Sequence, residues 1–299
     1  MPEAIAAPRV NPLLYAKLTA MTAIWGGTFI SGRIVTQSLG PFSAAFCRYA
    51  VATLLLLLLT RRIEGRLPQL KSRQWLPVVL LGVTGVFAYN ALFFLGLEQI
   101  PASRAALIVT TNPTVIALGA AIAFGHALTP LRLVGIGLGL LGAATVITDG
   151  TPWTILQGAS PGDLYLVGCV FSWAAYSLIG KAVMASLSPF AAITYACLVG
   201  TPLLLGPALR EGLVRDAIAA SPAVWLHVAY LAVLGTVVAF YWYYQGLQQL
   251  GPARASIFIN FVPVVAVVLA AVILGEALSG ALLVGGGLVV LGVFLTNRF

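Results

Sequence analysis

The chain alternates long apolar runs with short junctions that contain proline, glycine or charge, such as Gly40-Pro41, Arg61-Arg62 and Asp149-Gly150. Each run approaches the roughly 20 residues that a helix needs to cross about 30 Å of hydrocarbon. The pattern predicts an all-α polytopic membrane protein. We expect ten transmembrane helices, at 13–36, 41–60, 75–97, 103–125, 130–148, 162–184, 189–209, 223–248, 252–274 and 279–297.

The composition agrees with this pattern and excludes two other classes of protein. Charged residues make up 8% of the chain, hydrophobic residues make up 60%, and the mean hydropathy is +1.01. A soluble domain has about 25% charged residues. Three cysteines are too few for a disulfide scaffold. We expect Cys47, Cys169 and Cys197 to be buried free thiols, since all three lie in apolar runs.

The net charge of +8 is concentrated in the short loops between apolar runs, which is typical of charges that orient a membrane protein rather than bind nucleic acid. If the N-terminus is inside, eleven of the sixteen Lys and Arg residues are inside. The other five lie outside: Arg33, Arg48, Arg104, Arg210 and Arg215. We therefore predict a multi-pass inner-membrane protein with both termini cytoplasmic. The first apolar run is expected to remain as a span, because no basic segment precedes it.

The chain contains an internal repeat at offsets of 148 and 150 residues. Trp25 aligns with Trp173, Pro113 with Pro263, and Arg104-Ala105 with Arg254-Ala255. Apolar composition alone would not align tryptophans, prolines and arginines. Because each copy holds five predicted helices, an odd number, the second copy should be inverted, as in many secondary transporters. The predicted units are a first repeat at 1–149, a linker at 150–160 and a second repeat at 161–299.

Each half resembles the EamA module of the drug/metabolite transporter superfamily. The residues that carry this resemblance are Gly246-Leu247, Arg254-Ala255, Pro263 and Gly275-Glu276-Ala277-Leu278. The first half departs from the pattern, with His126 at the position that corresponds to Glu276. The arrangement resembles the amino-acid exporters of that superfamily, especially those for aromatic amino acids. The resemblance implies a ten-helix carrier of small metabolites.

Polar and aromatic residues at mid-depth are the candidates for a substrate site, because polar groups are costly inside a membrane. We predict a midplane cavity in which aromatic faces enclose the substrate and amide or hydroxyl groups fix its polar end. The predicted lining residues are Trp25, Thr28, Phe87, Tyr89, Asn90, Phe94, Thr110, Asn112, Trp173, Tyr176, Phe240, Tyr244 and Asn260.

Each group of candidates also has a structural interpretation. The Asn and Thr residues could bond neighbouring helices, and Trp25 and Trp173 could serve packing. Tyr241, Trp242 and Tyr243 could belong to an aromatic belt at the interface. Arg48 is expected to snorkel to the membrane surface. Glycines such as Gly135, Gly139 and Gly285 permit close helix packing within the chain, or a dimer face as the alternative.

Pro113 and Pro263 are candidates for gating, because each lies in the middle of a predicted helix. Proline removes a helical hydrogen bond and clashes with the carbonyl four residues earlier, here Val109 and Ile259. The resulting kinks would be gates or static bends. We place Glu98 and Arg104 at the outer mouth of the predicted cavity and Arg254 at the inner mouth.

The predicted function is secondary transport by alternating access, with export of amino acids, aromatic ones first. Direction and cargo follow from the resemblance and the aromatic residues. No acidic residue lies at mid-depth, which favours a neutral or zwitterionic substrate and argues against carboxylate-based proton coupling. The alternatives are a carrier of sugars, nucleotide sugars or drug-like compounds, a channel, or a membrane enzyme.

An enzyme would need polar catalytic clusters at the membrane edge, and the sequence offers none. We predict no enzyme activity, no cofactor, no metal and no nucleic-acid partner. The expected partners are the lipid bilayer and a small-molecule substrate. A monomer would suffice because the chain supplies both repeats, with a dimer as the alternative.

The charge distribution makes a testable prediction about topology. A reporter fused after Phe299 should be cytoplasmic, and a reporter inserted in the 149–160 linker should be external. Paired phosphatase and fluorescent-protein fusions measure this. A cytoplasmic reporter in the linker would contradict the inverted repeat.

Overall fold

The computed structural model describes residues 12–124, 129–250 and 258–298, and within these ranges the chain is helical with no β-strand. We number the helices in chain order. They are α1 (Pro12–Val35), α2 (Pro41–Glu64), α3 (Ser72–Gln99), α4 (Ala102–Val109), α5 (Asn112–Phe124), α6 (Pro130–Ile147), α7 (Pro161–Val183), α8 (Pro189–Glu211), α9 (Leu213–Ala219), α10 (222–250), α11 (Val262–Leu274) and α12 (Gly280–Arg298).

Six of the described helices, α2, α3, α6, α7, α8 and α10, are long and apolar enough to cross a membrane. Val262–Leu274 and Gly280–Thr296 are shorter apolar helices. The prediction of an all-α membrane protein is confirmed. The three cysteines are buried free thiols, as predicted.

The predicted helix at 103–125 is interrupted rather than merely kinked. Helix α4 ends at Val109, Thr110 and Thr111 form a turn, and α5 begins at Asn112. The described end of the ninth predicted helix has the same interruption, a turn at Asn260 and Phe261 before α11.

The two prolines therefore lie in the first turn of a helix. Pro113 is the second residue of α5, and Pro263 is the second residue of α11. Proline is tolerated in a first turn, where its missing N–H would have no helical partner. The expected clash with the carbonyls of Val109 and Ile259 is thus wrong, because each helix stops before the proline instead of bending around it.

Helices α3 and α10 each contain a widened π-helical segment, which the sequence analysis did not predict. The segments are Gly82–Ala88 in α3 and Tyr230–Val238 in α10. At the repeat offset of 150 residues the first segment corresponds to 232–238, so the two segments overlap. Such segments recur at functional sites because they turn side chains away from regular helical register.

The two halves of the chain interlock. Helix α1 packs against α10 and α11 of the second half, and α7 packs against α3 and α5 of the first. Between them α2 lies against α8, where the hydroxyls of Thr53 and Thr201 are 2.8 Å apart. These two threonines are related by the repeat offset of 148 residues.

Helices α6 and α12 are in close backbone contact through glycines. A Cβ on Gly292 would lie 2.4 Å from the backbone nitrogen of Gly139, and a Cβ on Gly142 would lie 2.5 Å from the carbonyl oxygen of Gly285. Real Cβ contacts are longer than this, so only glycine fits. The glycine stripe predicted for close helix approach packs within the chain, which is the first of its two interpretations.

This contact makes a prediction about stability. Gly292→Ala forces α6 and α12 apart and should lower the free energy of unfolding by about 1–3 kcal/mol, the usual cost of overpacking. The matched control is Gly287→Ala on the same helix, where a Cβ meets nothing within 4 Å. Thermal unfolding midpoints in detergent compare the two. Equal midpoints for both variants would contradict the close contact.

Candidate functional site

An aromatic cluster from four helices occupies the region between the two halves. Trp173 of α7 lies 5.0 Å from Tyr89 of α3, 5.2 Å from Tyr176 and 6.4 Å from Phe240 of α10, measured between ring centroids. Phe240 in turn lies 5.5 Å from Trp25 of α1. The structure thus brings together five of the residues predicted to line a cavity.

The widened segments of α3 and α10 position this cluster. The indole N–H of Trp25 donates to the carbonyl of Gly235, at 3.1 Å, in the widened segment of α10. In the widened segment of α3, a Cβ on Gly85 would lie 2.1 Å from the ring of Tyr176. Because Gly85 has no side chain, the aromatic ring can lie directly against the backbone.

Thr28 packs against the other widened segment and does not offer a free hydroxyl. A Cβ on Gly235 would lie 2.7 Å from its methyl group. Its hydroxyl donates to the carbonyl of Trp25 at 2.6 Å. Thr28 therefore shapes the site through its methyl group.

The cavity inside the cluster is nearly closed, with a volume of about 10 Å³. This volume has room for about one water molecule. An amino acid would enter only after the helices around it separate. The lining residues are Tyr49, Gly85, Val86, Trp173, Tyr176, Ile193, Ala196, Cys197, Thr236 and Phe240.

A buried polar centre adjoins the cavity. Arg48 is 6% exposed, and its Nε donates to the hydroxyl of Thr236 at 3.2 Å. One terminal nitrogen, Nη1, donates to the side-chain oxygen of Asn90 at 3.3 Å. Its guanidinium carbon lies 5.3 Å from the ring centroid of Tyr49. The prediction that Arg48 snorkels to the surface is wrong, because its acceptors on α3 and α10 lie inside the bundle.

Asn90 belongs to this polar centre. Its side-chain nitrogen donates to the carbonyls of Gly85 and Val86, at 3.2 and 2.9 Å, in the widened segment of α3. The residue is fully buried, and its oxygen accepts from Arg48. The structure therefore places Asn90 behind the cavity wall, where it holds both Arg48 and the local shape of α3.

Several other predicted lining residues lie outside the cluster. Phe87 contacts Phe42, at 6.5 Å between ring centroids, and Phe94 is fully buried against Phe93 at 5.4 Å. The hydroxyl of Thr110 donates to the carbonyl of Ala106.

The remaining predicted residues lie at the helix breaks or outside the described part. Asn260 is half-buried in the turn before α11. Asn112 begins α5, and its buried side-chain oxygen has no hydrogen-bond partner among the described residues. Arg254 and the side chain of Tyr244 lie outside the described residues.

Sequence reasoning missed several members of the site, among them Tyr49 and Thr236, which line the cavity. Tyr243 also belongs to the cluster, because its ring lies 5.5 Å from that of Trp25, whereas the sequence also allowed a place in an interfacial belt. The sequence predicts that Arg48 extends to the membrane surface, whereas its side chain lies inside the bundle. The signal that could have identified Arg48 is its position about two helical turns inside α2, combined with a scarcity of basic residues at that depth.

One end of the bundle is held by polar contacts between helices. Arg104 at the start of α4 binds Asp163 of α7, at 2.7 Å from Nε and 2.5 Å from Nη2, and also donates to the carbonyl of Ile147. Glu276 accepts hydrogen bonds from the backbone nitrogens of Ala102 and Ser103, at 2.8 and 3.0 Å. Because Pro101 offers no capping side chain, Glu276 caps α4 from the other half.

Further contacts at the same end involve α1, α2 and α8. Arg33 donates to the carbonyls of Leu97 and Glu98 at the end of α3, while the Glu98 residue is largely exposed. Glu211 at the end of α8 accepts from the backbone nitrogen of Ser43 at 2.9 Å. Polar contacts therefore join the two halves of the chain at this end of the bundle. The predicted mouth residues Glu98 and Arg104 lie here together, but Arg104 pairs with Asp163.

A larger groove lies away from the aromatic cluster. It has a volume of about 560 Å³ between α4, α5, α6, the short helix Ile155–Gly158 and α7. Its walls are mainly apolar side chains such as Leu140, Val167 and Phe171. A lining of this kind, on the outside of apolar helices, suits lipid chains rather than a polar substrate.

Comparison with known proteins gives consistent findings. The EamA-like transporter family matches the chain twice, at residues 13–148 and 160–298. The uncharacterized transporter YyaM of Bacillus subtilis is 28% identical over 95% of this chain and 93% of its own. The probable terminal-alkyne amino-acid exporter of Streptantibioticus cattleyicolor is 28% identical over 94% and 91%.

Two further proteins extend the comparison. The uncharacterized inner membrane transporter YedA of Escherichia coli K12 is 29% identical over 95% of this chain and 90% of its own. A solved crystal structure superimposes with a TM-score of 0.63 over 96% of each chain, at 22% sequence identity. That likeness shows the shared fold.

The ion pair between Arg104 and Asp163 leads to a prediction. The Asp163 side chain is 0% exposed, whereas in the second described ion pair the Arg215 side chain is 79% exposed and the Asp216 side chain is 19% exposed. Breaking a buried pair leaves a charge without compensation and costs on the order of 3–5 kcal/mol. Asp163→Asn should therefore lower the unfolding midpoint markedly, and Asp216→Asn should change stability by less than about 1 kcal/mol. Thermal unfolding in detergent makes the comparison, and similar midpoints would contradict a structural role for Asp163.

Proposed function

This chain belongs to the EamA-like transporter family, and we propose that it is a secondary transporter that exports small metabolites, amino acids first, by alternating access. The observation that carries the proposal is the aromatic cluster between the two halves, formed by α1, α3, α7 and α10. Substrate sites of inverted-repeat carriers lie at the junction of the halves. Such sites lie near the bilayer midplane.

The proposed architecture is ten transmembrane helices in two inverted repeats, at 1–149 and 161–299, joined by a linker at 150–160. In this count α4 and α5 form one interrupted helix. Equivalent features in the two halves support it: interruptions at 110–111 and 260–261, and the widened segments of α3 and α10. The glycine contacts support it too. Gly135 contacts Gly292, and Gly142 contacts Gly285. Gly135 is equivalent to Gly285 and Gly142 to Gly292, so the two contacts are the same contact seen from the two halves.

We infer that the structure represents a state closed at the predicted outer end. The contacts Arg104–Asp163 and Ser103–Glu276 cross between the halves there. Opening that end would break these contacts, and closing the opposite end would have to compensate for them. The helix interruptions before Pro113 and Pro263 are the proposed hinges, because a turn without regular helical hydrogen bonds can change its angle at low cost.

The proposed cargo is amino acids, with aromatic side chains first. The cluster offers ring faces from Trp25, Trp173 and Phe240, and such faces stack on aromatic substrates. One relative is named a probable amino-acid exporter, which supports this class of cargo. The proposed setting is the inner membrane with both termini cytoplasmic, and the proposed functional unit is the monomer.

The test is transport by purified protein in liposomes. Labelled tryptophan and phenylalanine should show saturable uptake with counterflow, whereas labelled glucose should not accumulate. Counterflow separates a carrier from a channel. Glucose counterflow without amino-acid counterflow would replace the proposed cargo, and non-saturable flux of all solutes would replace the carrier mechanism.

Trp173→Ala tests the site within the same assay. Loss of a central stacking surface should raise the apparent KM for tryptophan about tenfold or more. The matched control is Trp153→Ala, because Trp153 lies in the linker and is 80% exposed. Unchanged transport by a folded Trp173→Ala variant would assign the cluster to packing.

A further inference from the structure

Among the residues that the structure describes, Arg48 is a buried cation with no carboxylate within ion-pair distance. Its side chain lies inside the bundle at 6% exposure, and its two hydrogen bonds in the described part go to neutral oxygens of Thr236 and Asn90. The two ion pairs among the described residues involve other groups. A charge in such a place is costly and usually has a functional partner.

The guanidinium has capacity for a further ligand. Arginine carries five N–H donors in a planar fork that matches a carboxylate in a two-bond arrangement. In the described part, hydrogen bonds use the Nε donor and one donor on Nη1. Both N–H donors on Nη2 remain, so this nitrogen can donate to an incoming group.

The polar centre is next to the aromatic cluster. Thr236 lines the same small cavity as Trp173, Tyr176 and Phe240. Asn90 directly follows Tyr89, whose ring lies 5.0 Å from Trp173. Separation of α10 from α2 and α3 would therefore expose the guanidinium to the space between these rings.

We propose that Arg48 binds the carboxylate of the transported substrate, with Thr236 and Asn90 as positioning residues that orient its fork. This inference rests on the proposed function and adds a chemical requirement to it: the substrate carries a carboxylate at one end. The aromatic rings of Trp25 and Trp173 would face the rest of the molecule, including an ammonium group, which binds favourably over aromatic faces. A zwitterionic amino acid satisfies both requirements without an acidic residue in the site.

The competing explanation is structural. Arg48 would then only cross-link α2 to α3 and α10, and the strength of ligand binding would not depend on a carboxylate. The two explanations differ in a quantity that stability does not affect, namely the preference of the folded protein among ligands that share one ring system.

The experiment measures binding of three ligands to the purified full chain in detergent. Tryptophan has both a carboxylate and an amine, indole-3-propionate lacks the amine, and tryptamine lacks the carboxylate. The wild type should bind the two carboxylates at least about tenfold more tightly than tryptamine, in line with a charged hydrogen bond. This comparison needs no variant, so it is independent of folding.

Substitutions then identify the residue responsible. Arg48→Gln should weaken both carboxylates by about ten- to a hundredfold and leave tryptamine unchanged. Arg48→Lys retains the charge but loses the fork, and it should give an intermediate loss. The matched control is Arg62→Gln, an exposed arginine on the same helix, which should bind all three ligands like the wild type.

The outcomes separate this inference from the proposed cargo. Equal wild-type affinity for tryptophan and tryptamine would overturn the role of Arg48 while leaving amino-acid transport in place. A preference for carboxylates that persists in both Arg48 variants would also overturn it. Arg48-dependent binding of small aliphatic carboxylates, without binding of indole compounds, would support the anion site and contradict aromatic cargo.

Discussion

The structure depends on one constraint: inside a membrane, each backbone polar group must find its partner within the protein. The widened segments of α3 and α10 show how this constraint shapes the site. The hydroxyl of Ser172 donates to the carbonyl of Thr84, Asn90 donates to that of Val86, and Trp25 donates to that of Gly235. Departures from a regular helix therefore occur where side chains from the cluster region supply donors, and the site and the backbone irregularities stabilise each other.

The same constraint explains the carboxylates at the helix ends. Glu276 caps α4, and Glu211 caps α2, whose N-cap residue Gly40 has no capping side chain. Glu64 at the end of α2 binds Ser188 at the start of α8. Each cap joins one half of the chain to the other. A carboxylate from the other half satisfies the buried backbone N–H groups at the start of the helix. Water can replace this carboxylate when that end of the bundle opens.

Much of the candidate site could be predicted from the sequence. Trp25, Trp173 and Phe240 are aromatic residues at mid-depth of apolar runs, and the two tryptophans occupy equivalent positions of the repeat. The structure brings them together. Arg48, in contrast, was assigned to the surface because an arginine in an apolar run commonly extends outward. Its actual partners, Asn90 and Thr236, are 42 and 188 residues away in the chain.

The sequence by itself determined the class of protein, the helical segments, the repeat and the positions of the helix interruptions, because run length, composition and proline act locally. The tertiary structure decided how those local features are used. It converted two expected kinks into breaks, widened α3 and α10, paired Arg104 with Asp163 and turned Arg48 inward. These outcomes depend on which polar groups distant helices bring within hydrogen-bond reach, and periodicity along one helix carries no information about its neighbours.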